Sequence, residues 1–258
     1  MQRSALYTIL FATAVCIVCA IVVSSAAVSL KPAQEINAAL EKQRNVLLAA
    51  GLLEAGEKID AVEVQRRFEN IRMVVVNLET GEEATDIDPA TFDQVRAAKD
   101  PETSSVAPKN RALVQRLPDH VLVYEVLGDN GVEGIVLPIQ GYGLWSTLYG
   151  FIALDNDLET IRGITFYQHG ETPGLGGEVD NPKWKARWVG RKAFGEDGQP
   201  KITVIKGPAG PPAEDPYEVD GLSGATLTAR GVTNLVHFWL GDEVLGPYLE
   251  NLSRRRAT

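Results

Sequence analysis

Thr226 stands directly behind Ser223-Gly224-Ala225 and opens an apolar pattern of Leu227, Val232, Leu235, Val236, Trp239 and Leu240 at helical spacing. A hydroxyl in the first turn of a helix meets free N–H groups and the positive end of the helix dipole, a setting that favours a phosphate. Ser223 is expected as the N-cap, and Gly224 and Ala225 as small residues that let another backbone or a ligand approach. Taken alone, the stretch also reads as a well-capped helix start with no ligand.

A second motif lies some fifty residues upstream. Gly170-Glu-Thr-Pro-Gly-Leu-Gly-Gly177 follows directly on a strand-like run. Its glycines let backbone approach a flat ligand, and Leu175 offers an apolar contact for a ring face. Glu171 and Thr172 add hydrogen-bonding groups at the same edge. The loop lacks the lysine and spacing of a nucleotide P-loop, and no βαβ unit surrounds it as a dinucleotide fingerprint requires. An ordinary Pro-Gly turn is the plain alternative.

Other chemistry-bearing residues are sparse. His169 borders the glycine loop and is expected to be exposed, and His120 and His237 have no evident partner set. No acid–base pair, nucleophile or metal-ligand cluster stands out. Cys16 and Cys19 share a helix face but supply only two ligands, and read as small residues at a helix–helix contact.

The elements that must position these groups begin with an uncharged stretch, 4–30, almost continuously apolar from Leu6 to Val23. That length spans a bilayer as a helix and exceeds the apolar core of a typical signal peptide, so a retained anchor is expected over a cleaved leader. Arg3 on one side, and Lys31, Lys42 and Arg44 offset by Glu35 and Glu41 on the other, assign no orientation. Ile36, Leu40, Leu47 and Leu48 predict an amphipathic helix leading off the membrane. Strands are predicted at 71–78, 121–126, 134–139, 149–154, 160–167 and 202–205, with a Gly-Asp-Asn-Gly turn at 128–131 and a short helix at 184–194. Residues 79–118, rich in Asp, Glu, Thr and Pro, read as a loosely structured connection. The result is an α+β chain: a transmembrane helix (1–30), a membrane-proximal helix and connecting region (31–118), and a mainly antiparallel domain (119–258). At 258 residues it can bury a full core, and its net charge of −9 argues against a nucleic-acid partner.

Together the two motifs are specific. With Ser-Ser-Ala-Ala-Val after the span, Pro138-Ile-Gln-Gly-Tyr-Gly-Leu-Trp-Ser146, the glycine loop through Val179, Asn181-Pro-Lys-Trp184 and Val219-Asp-Gly-Leu-Ser-Gly-Ala-Thr-Leu-Thr228, the chain resembles the C subunits of bacterial Na⁺-translocating NADH:quinone oxidoreductases nearly end to end. The resemblance implies an FMN held through its phosphate in an ester to Thr226, mounted by a flavin transferase that requires Asp220. Thr228 is not expected to substitute. It further implies an isoalloxazine lying against Glu171, Thr172, Leu175 and Gly176, with Leu144 and Trp145 nearby and backbone donors from Ser223, Gly224 and Ala225. Lys206 and the Ser146 or Thr147 hydroxyls are candidate phosphate partners by chemistry. The implied protein relays electrons inside a Na⁺-pumping inner-membrane complex, with its flavin domain in the periplasm and no turnover chemistry of its own. Two rivals are the flavin subunit of an Rnf-type ferredoxin:NAD⁺ oxidoreductase and a membrane-tethered assembly module without a redox group.

Overall fold

The computed structural model describes residues 5–129 and 131–256, so Arg3 and Asn130 of the predicted turn lie outside the described residues. The chain divides into two compact units, Met1–Lys42 and Gln43–Thr258.

The first unit is helical. Helix α1, Ala5–Ala49, runs 45 residues with Pro32 inside it, so the predicted span and the predicted membrane-proximal helix are one element. An 18-residue window reaches a mean hydropathy of 2.7 with none of its residues buried, and about 20 residues suffice to cross a hydrocarbon core. Cys16 and Cys19 are exposed and free on this helix.

The second unit is built on one sheet. After α2 (Ala61–Phe68) come β1 (Ile71–Asn77), α3 (Gln94–Ala97), and the short pair β2 (Ser104–Val106) and β3 (Arg116–Pro118). Then follow β4 (His120–Gly128), β5 (Gly131–Tyr142), β6 (Thr147–Asp155) and β7 (Ile161–Gln168). The sheet is five-stranded and antiparallel throughout, in the order β1-β4-β5-β6-β7. β1 therefore joins β4 from the far side of the expected boundary at 119.

Both faces of this sheet are covered, which is why its strands read as nearly unbroken apolar runs. Val74, Val76, Val121, Val123, Ile135, Leu137, Ile139, Ile152 and Leu154 pack in one core with Val232, Leu235, Val236 and Trp239. Alternate residues face the other way: Tyr124 meets Phe68 and Phe151 at ring centroid distances of 6.1 and 5.6 Å. On β7 the Thr165 hydroxyl donates to the Asn45 carbonyl (3.1 Å), in the last turns of α1, which from Gln43 onward belong to this second unit.

The rest of the chain departs from expectation in four places. Residues 79–118 carry α3 and the β2–β3 pair, and are pinned to the sheet by a long-range bond from Leu122 N–H to Gln94 Oε1 (3.1 Å). The helix expected at 184–194 is only α4 (Pro182–Lys185) and a 3-10 turn, Ala186–Trp188, because Gly190 turns left-handed at φ 80° and bonds to the Ile161 carbonyl. The strand at 202–205 shrinks to β8 (Thr203–Val204), parallel to β9 (Glu218–Val219). Behind α5 (Thr226–Leu240) lies an unforeseen α6, Gly246–Arg256, whose Tyr248 hydroxyl donates to the buried Glu125 (3.2 Å).

Candidate functional site

The first turn of α5 is the hub of the site. Ala225 occupies the N-cap with no side-chain cap bond, so Ser223 does not cap this helix. The reason is local: Leu222 to Ala225 close a turn of their own (Ala225 N–H to Leu222 O, 3.1 Å) with Gly224 left-handed at φ 69°, which leaves Ser223 exposed two residues too early. A Cβ on Gly224 would also fall 2.9 Å from the Leu175 side chain, so the expected close approach is made by the glycine loop itself.

Two threonines share this turn and differ completely. Thr226 is exposed. Thr228 is fully buried, and its hydroxyl donates to Glu171 Oε2 at 2.6 Å. Glu171, itself only 5% exposed, takes three further bonds on Oε1 from consecutive backbone N–H groups: Leu144 (3.1 Å), Trp145 (2.9 Å) and Ser146 (3.2 Å). Burial alone would raise this carboxyl, but the Thr228 hydroxyl and the three N–H groups outweigh it and hold the group below its ordinary value. Gly143 and Gly176 are required beside it, since a Cβ at either would lie 2.6 Å from Glu171 Oε1 or Thr228 Oγ1 respectively. The Glu171 carboxylate thus ties the 144–146 turn and the glycine loop to α5.

What that scaffold presents is apolar and open. Trp145 is 65% exposed, so it is not core, and Leu175 and Leu227 are 44% and 51% exposed. Leu144 is half-buried, Gly176 buried and Thr172 exposed, with its carbonyl accepting from Leu175 and Gly177 N–H. On the other flank of Thr226 a cleft of about 540 Å³ is lined by Lys206, Gly207, Ser223, Gly224 and Arg230. Arg230, one turn beyond Thr226, was not among the expected residues; its i+4 spacing is the signal that marks it.

The remaining candidates are engaged elsewhere. Ser146 Oγ accepts from Gly170 N–H (2.6 Å), latching the two loops together, and Thr147 starts β6. Asp220 accepts from Ala209 N–H on Oδ1 (3.0 Å), pairs through Oδ2 with Arg187 (3.3 Å), and its carbonyl accepts from the Trp184 indole (2.8 Å). His169 is half-buried where exposure was expected: Nδ1 accepts from Glu171 N–H (3.2 Å), so Nε2 carries the proton and donates to Asp180 (2.7 Å). His237 bonds the Ile202 carbonyl, and burial holds its ring below the usual range.

The donor set fits a flavin nucleotide. An exposed hydroxyl at a helix N-terminus, two cations on one flank and three exposed apolar side chains on the other match a phosphate and a flat ring. An FMN-binding domain model matches residues 143–241. The chain is 47% identical to the C subunit of the Na(+)-translocating NADH-quinone reductase of Pseudomonas aeruginosa, over 99% of each chain. It is 47% identical to the equivalent protein of Yersinia pestis over 95% of this chain and 92% of the relative. Among solved structures, Shewanella oneidensis NqrC superposes with a TM-score of 0.76 at 36% identity, covering 82% of this chain and 96% of the other. The C subunit of the reductase from Parabacteroides distasonis gives 0.63 at 27% identity, covering 85% and 96%.

Proposed function

Because the chain belongs to the NqrC family, the C subunits of Na(+)-translocating NADH-quinone reductases, we propose that it is the electron-relaying flavoprotein of such a complex, carrying FMN as a phosphoester on Thr226. The observation that carries the assignment to Thr226 is the contrast between the two threonines: one hydroxyl is free at the helix start, the other is buried and already committed to Glu171.

The residues divide the work. Lys206 and Arg230 offset the phosphodiester charge, and the first N–H groups of α5 accept it as helix termini accept anions. Trp145, Leu175 and Leu227 supply apolar contact to the ring, and Glu171 and Thr228 fix the loops that carry the first two. Bound FMN supplies one- and two-electron chemistry. The protein contributes position and electrostatics, and an ester mount removes dissociation as a failure of the relay. α1 holds the unit at the inner membrane, with the flavin unit on the periplasmic side, and other subunits of the complex are its partners. A flavin transferase reads the Asp220–Thr226 segment during maturation.

Intact mass of the full chain, expressed with and without a flavin transferase, tests the mount. Wild type should gain an FMN-sized increment only with the transferase, and Thr226→Ala should gain none while remaining folded. An unmodified wild-type mass beside active transferase sinks the covalent reading, and a colourless protein favours the assembly-module rival.

A further inference from the structure

Among the described residues two leucines are left-handed, a conformation that costs any residue with a Cβ. Leu158 (φ 59°) packs against the hydrophobic core, so burial offsets its strain. Leu113 (φ 56°) is 64% exposed and has no such return. Its loop is nonetheless pinned on both sides. Asn110 donates to the Pro108 and Val114 carbonyls (2.8 Å each) and accepts from Val114 N–H (3.1 Å). Asn234 donates to the Arg111 carbonyl (3.2 Å), and Tyr142 N–H to the Ala112 carbonyl (2.8 Å). The fold holds a strained leucine out into solvent.

Leu113 stands beside Tyr142, which is 40% exposed and whose hydroxyl donates to the Trp145 carbonyl (3.2 Å). Together they form a ridge, because both line each of two clefts of about 530 and 550 Å³. Lys99 and Arg116 line the first cleft and Lys109 the second, and neither cleft has a carboxylate among its lining residues. In a chain of net charge −9, that is a local reversal of sign. The ridge is also continuous, through Tyr142 and Trp145, with the exposed apolar side chains of the flavin site.

We propose that the Leu113–Tyr142 ridge and its cationic clefts are the docking surface for the protein partner that exchanges electrons with the flavin. That partner presents an apolar socket edged by carboxylates. The inference rests on the flavin reading above, and identifies the partner as another subunit of the complex. Continuity with Trp145 is what selects a redox protein over a lipid surface, since electron exchange needs the partner's own redox group close to the ring. The cations steer the encounter and the leucine anchors it.

The test uses the purified whole complex carrying Leu113→Asp or Leu113→Gly, with wild-type FMN content measured first by intact mass. Absence of FMN from wild type would strike the flavin reading, and leaves a different signature from failure of docking. With FMN present, NADH-driven reduction of this flavin in rapid mixing should slow about tenfold in both variants. Leu113→Gly should at the same time raise the melting temperature, because glycine accepts the left-handed backbone and little buried surface is lost. A purely structural leucine would move rate and stability together. Raising ionic strength should slow wild-type exchange, and more weakly in a Lys99→Glu/Lys109→Glu double variant. Unchanged flavin reduction in both Leu113 variants overturns the proposal. So does unchanged exchange accompanied by lost binding of the full chain to anionic phospholipid vesicles, which would assign the ridge to a membrane surface.

Discussion

The two flanks of the first turn of α5 use similar residue types to opposite ends. Behind the turn, Glu171, Thr228, Ser146 and the N–H groups of 144–146 and Gly170 are all spent on one another. In front of it, Thr226 is exposed, and Lys206 and Arg230 line an open cleft with no ion-pair partner among the described residues. A threonine, a charged side chain and a glycine occur on each side. What separates scaffold from ligand surface is the bonding capacity left over after folding.

The sharpest way to break that division is Glu171→Ala. It leaves three N–H groups and a buried hydroxyl without their acceptor, and should cost about 2–4 kcal/mol, the lower end applying if water reaches the half-buried turn. Denaturant midpoints measure it directly. A loss below about 0.5 kcal/mol, the level of an ordinary surface substitution, would mean the carboxylate is not scaffold. Thr228→Val is the narrower cut. It keeps the volume, removes one charge-assisted donor, and should cost about 2 kcal/mol while leaving the proposed FMN loading on Thr226 intact. Loss of loading with full stability would place Thr228 on the ligand side and erase the contrast.

Much of the fold was legible in local pattern. Runs such as 134–139 and 149–154 are β-rich and apolar on both sides, and they became β5 and β6 with their ends extended. The failures have separate local causes. Ser223 looked like a cap because the left-handed Gly224 behind it is invisible in residue type. Residues 79–118 looked loose because Gln94 and Asn110, whose polar side chains secure them, carry no apolar signal. The α6 helix hid behind Gly241, Gly246 and Pro247, which read as breakers. Within the site, Glu171 was read as a hydrogen-bonding group at the edge of the glycine loop, but its bonding depends on Thr228, fifty-seven positions away, and sequence spacing does not report such a partner.

The smallest expected effect is also the most selective, because it follows one proton. Glu171 is held below its ordinary carboxyl value in the folded chain, so its contribution is fully present above the unfolded value of about 4.3 and is lost as pH falls through the lower folded value. Stability should therefore drop with acid in a window below about pH 4, as protonation weakens Oε1 as the acceptor of three N–H groups. Glu171→Gln isolates that step. Its amide oxygen can still accept from 144–146 and its NH₂ can donate to the Thr228 hydroxyl, which reverses its own role from donor to acceptor. At neutral pH the variant should lose less than Thr228→Val, and as pH falls below about 4 its stability should fall less steeply than that of wild type. Identical acid slopes for the two proteins would mean that other carboxylates carry the acid sensitivity. Glu171 would then act through the shape of its hydrogen bonds and not through its charge, leaving Lys206 and Arg230 as the charges that matter at this site.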